Sequence, residues 1–290
     1  MELRKLFQEE QTNLYPLLGE CFGCWKSFPR NVPFPFEADS FAALDGERIV
    51  AHCAVVKFEI SDGRGGIVRL GGIALVCTDP AYRHRGLAEE LCRMAIRYAE
   101  KEKLAGLPLF TSFGRVYAKN HWRDYPIFMP ESIRWKRPGN PGTLVPGAEL
   151  SGKEKEKIIS LYENGFDFPG KVLRPCGESD SLFSWKHHFG RFCFLVADDF
   201  YAAGEGNFIY ELYGDAASFS AEAFLEKLPR ENGVTLFALP ENSPFRAVLA
   251  RLAERERADV FFHGPMVLDL DERRFFERDP GVYFPLTDRF

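Results

Sequence analysis

The chain has 290 residues, of which 46% are hydrophobic and 27% charged, with a formal net charge of −5. That length suits two domains of ordinary size in a folded protein. The small negative balance argues against sequence-independent nucleic-acid binding, which needs a basic face, and no apolar run reaches the ~18 residues of a membrane span.

In chain order, the opening MELRKLFQEEQ is acidic and amphipathic rather than signal-like, so a cytoplasmic location is expected. Residues 7–22 read as an amphipathic helix broken by Pro16. The seven cysteines lie scattered in apolar stretches and fit reduced thiols. Cys21 and Cys24 form a C-x-x-C, but no second pair or histidine couple stands at zinc spacing, and no metal is expected. An aromatic and proline-rich loop leads to the hairpin FAALDGERIVAHCAVVKFEI, with Asp45-Gly46 at its turn. The next strand, IVRLGGIALVCT, is interrupted at Gly71-Gly72, which marks a bulge or a close backbone approach. His52, His187, His188 and His263 read as structural or surface histidines.

A corner then joins that strand to a helix whose Leu87, Leu91, Met94, Ala95 and Tyr98 share one face. The corner holds Pro80, Arg83, His84, Arg85, Gly86 and Ala88. A strand end, a tight turn and a helix N-terminus gather backbone N–H groups around one point, and the helix dipole adds partial positive charge. Gly86 and Ala88 keep the approach open, and the arginines supply charge-assisted donors at the rim. The corner is therefore read as a phosphate site, preferably for a diphosphate. Its plain alternative is a solvated basic turn.

After LPLFTS, a short buried strand, RPGNPGTLVPGAEL (137–150) reads as a linker. Ser151 and Glu154 then make a capping box for a helix. RFCFLVAD, NFIYELYG and GVTLFAL read as strands, SAEAFLEKL as a helix, and Ser243-Pro244 as the start of another. ADVFFHGPMVLDL is the last strand. The expectation is two α/β domains of similar element order, residues 1–138 and 150–290.

Arg83-His84-Arg85-Gly86-Leu87-Ala88 matches the [QR]-x-x-G-x-[GA] motif of the GNAT acetyltransferases, and GGIALVCTDPAYRHRGLAEEL resembles their motif A, in the subgroup of the Eis-type proteins. The resemblance implies a GNAT fold for residues 1–135 and a degenerate GNAT-like second domain shaping the acceptor cleft. It implies acetyl-CoA as cosubstrate, with its pyrophosphate at Arg83, His84, Arg85, Gly86, Leu87 and Ala88 and its pantetheine arm along Val76 and Thr78. SFGRVYAKNHW resembles the family segment carrying the tyrosine that protonates the departing thiolate, which implies Tyr117 as general acid and Ser112 as a cofactor contact. The other reading of Tyr117 is a half-buried packing aromatic. Two departures stand out: His121 precedes Trp122 where the family usually has glycine, and Gly71 to Cys77 holds no Asp or Glu to act as base. In Eis-like proteins the chain-end carboxylate is the base, which implies Phe290; a tail docked for stability is the alternative. The function implied is acetyl transfer to a primary amine of a small molecule or peptide, with an acyl-CoA-binding sensor as the other reading.

Overall fold

The structure is a computed structural model and describes residues 1–22, 37–125, 131–136, 142–174, 183, 193–257, 264–271 and 274–278. The first sheet begins with β1 (Glu2–Lys5), β2 (Glu37–Asp45), β3 (Arg48–Ser61) and β4 (Ile67–Thr78), all antiparallel neighbours. Helix α1 (Tyr15–Phe22) lies between β1 and β2, and a 3-10 turn, Gln8–Leu14, precedes it. Pro16 stands in the first turn of α1, where its missing N–H costs nothing, so it starts the helix instead of breaking one. Asp45 pairs with Arg48, which makes Gly46 and Glu47 the turn residues; Gly46, at φ +61°, takes the left-handed position. Helix α2 (Leu87–Lys101), β5 (Gly106–Thr111), the short helix α3 (Gly114–Ala118) and β6 (Arg123–Asp124) follow.

Side-chain alternation in β2 sorts the two covering helices. Phe41 and Ala43 face the core under α2 with Leu91 and Ala95, whereas Ala42 and Leu44 face Leu14, Leu17 and Leu18. Gly71 is a close approach: a Cβ there would lie 2.8 Å from side-chain carbons of Leu104 and Val55.

The second sheet is built from β7 (Glu131–Trp135), β8 (Val145–Pro146), β10 (Cys193–Val196), β11 (Phe200–Glu205), β12 (Phe208–Gly214), β13 (Val234–Phe237) and β14 (Ala253–Arg257). A two-residue strand, β9 (Val172–Leu173), pairs instead with β3 of the first sheet. The helices of this part are α4 (Gly152–Glu163), α5 (Phe219–Leu225) and α6 (Phe245–Leu252). Ser151 caps α4 as its sequence implies: its hydroxyl accepts from the Glu154 N–H at 3.3 Å, and Glu154 reaches back to the Ser151 N–H at 2.8 Å.

The last strand, β15 (Gly264–Asp269), followed by the short helix α7 (Phe275–Arg278), crosses back. The two sheets run β1-β2-β3-β4-β5-β15-β6 and β8-β10-β11-β12-β13-β7-β14. They share one plan: every neighbouring pair is antiparallel except the fourth and fifth strands, β4/β5 and β12/β13, which are parallel. In both, the sixth place is filled by a strand from the other half. β15 runs beside β5 over six register pairs and puts Met266 into the core with Leu107 and Leu109. β7 lies between β13 and β14 and puts Ile133 among Phe200, Leu212 and Phe245. The sequence boundary at 138–150 assigns both strands to their own halves; in the fold they are traded. An alternating strand specifies which face is buried but not which neighbour it pairs with.

Candidate active site

β4 carries a bulge near its end. His52 is opposite Cys77 and Ala54 is opposite Ala74, so Leu75 and Val76 share the single place across from Cys53. Leu75 has φ +52°, a left-handed value that a branched side chain adopts only when its surroundings impose it. The buried ring of His52 contributes to that imposition: its Nδ1 lies 2.9 Å from the Leu75 carbonyl oxygen and its Nε2 3.1 Å from Ser40 Oγ.

Among the described residues β4 and its parallel neighbour β5 share register at Leu70 and Gly106, near the start of each, and diverge from there. The wedge that results opens toward the C-terminal end of β4.

The corner lies at the mouth of this wedge. Asp79 is buried and caps the 3-10 turn Pro80–Tyr82 by accepting from the Ala81 N–H at 2.8 Å; it also pairs with Arg48. Tyr82 donates to Asp45 at 2.6 Å, tying the β2–β3 turn to the corner. Arg83 and Arg85 are exposed and brace the backbone: Arg83 Nε donates to the Thr78 carbonyl at 3.2 Å, and Arg85 Nη2 to that of Ala81 at 3.0 Å. The Arg85 guanidinium also sits 4.7 Å from the centre of the Tyr82 ring. Each bond uses one N–H of a group that carries five. His84 (φ +62°) and Gly86 (φ +78°) turn the chain so that α2 starts with no side-chain cap, and a Cβ on Gly86 would meet nothing within 4 Å. The first-turn amides therefore face an open approach. Leu87 is buried and anchors the helix, and Ala88 is half-buried.

The family model described as an acetyltransferase (GNAT) domain matches residues 2–123. Residues 2–123 are a GNAT domain. No curated protein matches the sequence. A conserved protein of unknown function from Enterococcus faecalis V583 is similar in structure with a TM-score of 0.64 at 15% identity, over 95% of this chain and 74% of that one. Eis1 from Mycobacterium abscessus gives 0.64 at 13%, over 93% and 74%. A GCN5-related N-acetyltransferase from Kribbella flavida gives 0.61 at 16%, over 92% and 70%. At such identities the likeness is one of fold, and it spans both sheets.

Within the GNAT domain, Val76 and Thr78 are half-buried at the bulge and at the end of β4, and Ser112 is exposed at the end of β5. Tyr117, on α3, is buried, with its ring edge-on to Trp122 at 6.0 Å between centres. Burial, followed by the neighbouring Cys92, Cys53 and Cys77 thiols, pushes its phenol well above the usual range, so it stays protonated at neutral pH. Cys53, whose thiol is hydrogen-bonded to that of Cys92, is likewise pushed up by that bond and by burial, which makes it a poor nucleophile. Phe290, His187, His188, His263 and Cys24 lie outside the described residues.

His52, read from the sequence as a structural or surface histidine, is buried and hydrogen-bonded at the bulge. A single polar residue in the otherwise apolar IVAHCAVV was the available signal. Burial lowers its pKa from 6.5 to about 4, so the ring is neutral in the folded chain. The unfolded chain binds a proton there from pH 6.5 downward, and the folded chain refuses it until about 4. Stability should therefore fall with acid in that window, by about 2 kcal/mol from this group between pH 7 and 4.5. Urea melts at those two pH values should show the loss reduced by that amount in His52→Asn. An unchanged loss would mean that His52 titrates normally.

Proposed function

We propose that the protein transfers an acyl group, most simply acetyl, from coenzyme A to a primary amine of a small molecule or peptide by direct attack. The observation carrying this reading is the wedge between β4 and β5 with the uncapped start of α2 at its mouth. The pyrophosphate would rest on the amides from Arg85 to Ala88, with Arg83, His84 and Arg85 around it. The pantetheine arm would add to β4 as a short extra strand along Val76 and Thr78, with Ser112 across the wedge. The neutral amine attacks the thioester carbon, whose oxygen gathers charge beside the Val76 N–H. As the carbon–sulfur bond breaks, the thiolate takes the proton of Tyr117, and the proton shed by the amine nitrogen, passed through solvent, returns the phenolate to its neutral form. The scheme calls on no metal. The second half would shape the acceptor side of the cleft.

One observation favours a second reading, a sensor that binds acyl-CoA without turning it over. No carboxylate lies between Gly71 and Cys77, and His52 has both nitrogens engaged, so neither supplies a base. Acetyl-CoA mixed with a panel of amines separates the readings: an enzyme releases free thiol with at least one amine, and a sensor with none. The cradle is tested apart from turnover. Arg83→Ala/Arg85→Ala should weaken coenzyme A binding at least tenfold, since charge-assisted contacts are worth about 1.5–3 kcal/mol each before solvent screening. Calorimetry returning the wild-type affinity would remove the phosphate assignment.

A further inference from the structure

We infer that His52 is a positioning residue for the acyl carbonyl: by holding the Leu75 carbonyl it aims the Val76 N–H into the wedge. This deepens the acyl-CoA reading above and rests on it.

The argument starts from one rigid peptide. The Leu75 C=O and the Val76 N–H belong to the same planar trans unit and point in opposite directions. His52 Nδ1 lies 2.9 Å from the Leu75 oxygen, so that oxygen is directed at the ring on β3. The Val76 N–H is then directed away from β3, the side on which β4 has parted from β5. Neither Leu75 nor Val76 has a register partner of its own in β3, so the strand pairing is irregular at this peptide, and the His52 ring adds a side-chain contact that holds it.

The ring is itself held. Its Nε2 meets Ser40 Oγ at 3.1 Å, and Ser40 meets Gln11 Oε1 at 3.1 Å, so one chain of contacts runs from the 3-10 turn through β2 and β3 to the bulge. A carbonyl accepts only, so Nδ1 must carry the proton; in the neutral ring Nε2 then takes the one hydroxyl proton of Ser40, and Gln11 turns its amide N–H₂, in place of Oε1, toward the serine oxygen. Burial keeps the ring neutral near physiological pH, so this donor pattern is constant there. Leu75 at φ +52° adds the reason an anchor is needed: released, the residue would relax toward ordinary strand geometry and rotate the peptide. A donor misaimed in this way stabilises the developing oxyanion poorly, even with the coenzyme still bound.

The test reads the carbonyl directly and needs no knowledge of the amine. Full-length protein is loaded with acetyl-CoA labelled with carbon-13 at the thioester carbonyl, and the infrared stretch is compared with that of the free thioester. A hydrogen bond from Val76 lowers the stretch in the wild type. His52→Leu should lose this shift while calorimetry gives a coenzyme A affinity within about twofold of wild type, because the pyrophosphate contacts lie elsewhere. His52→Asn places an amide donor near the Nδ1 position and should restore most of the shift. With any amine that turns over, His52→Leu should lower kcat about 100-fold at little change in KM for acetyl-CoA.

Should the leucine variant not fold, nitrogen-15 spectra of the wild-type ring decide. An Nδ1–H tautomer at pH 7 supports the inference, and an Nε2–H tautomer overturns it, since the Leu75 carbonyl would then face a bare nitrogen. A shift that survives His52→Leu in folded protein also overturns it, leaving the acyl-CoA reading intact. Wild-type protein that binds no acetyl-CoA overturns both, and the calorimetry shows which has failed.

Discussion

Tyr117→Phe should lower turnover about 100-fold while leaving acetyl-CoA affinity near wild type. The ring is buried and packs edge-on to Trp122, and phenylalanine keeps that shape. What it removes is one hydroxyl whose proton is held firmly by burial. A firmly held proton is no obstacle to the proposed scheme: a thiolate generated beside the ring in a similarly desolvated site would also hold a proton more tightly. The measurement is free-thiol release under saturating acetyl-CoA, set beside calorimetry of the same protein. Undiminished turnover would assign the proton to another donor and leave Tyr117 a packing residue. A large loss of affinity instead would mean that the hydroxyl supports the site's structure.

The corner that this scheme depends on was readable in the sequence because all its determinants are local. Pro80 ends a strand, Gly86 supplies a left-handed residue, and a regular apolar stripe follows at once. The capping box at Ser151 and Glu154 was legible for the same reason. The bulge was not: the visible double glycine at 71–72 keeps an unbroken register, and the irregularity falls at Leu75-Val76, whose side chains look like any strand pair. A contact that helps hold the bulge comes from His52, which lies on another strand. Nor could the pattern of ADVFFHGPMVLDL reveal that its 264–269 stretch borders β5, because alternation is silent about partners.

That pairing carries the second large expectation. A chain cut to residues 1–138 should fail to fold as a monomer, and so should residues 142–290. The first fragment lacks β15 and β9, so the backbone of β5 loses a neighbour over six register pairs and Met266 leaves a gap beside Leu107 and Leu109. It also carries β7 with nothing to pair against. The second fragment lacks β7, which is bonded on both sides, by β13 and by β14. Unsatisfied interior edges and lost core residues together exceed the few kcal/mol by which domains are stable. Co-expression of the two fragments should restore a soluble complex, because each holds the strand the other needs. Circular dichroism and size-exclusion of the fragments, apart and together, check this. A folded, monomeric 1–138 fragment would show that β15 is dispensable.

The traded strands also set a clock for biosynthesis. β5 emerges from the ribosome with its edge open, and its neighbour β15 is made roughly 150 residues later. At about 5–20 residues per second that interval is about 8–30 s, long compared with the collapse of a nascent chain. Throughout it the nascent protein displays an apolar strand that accepts any extended segment, including one from a neighbouring ribosome on the same message. Slowing translation between codons 112 and 264 should therefore lower the soluble yield, and supplying residues 142–290 in trans during synthesis should recover it.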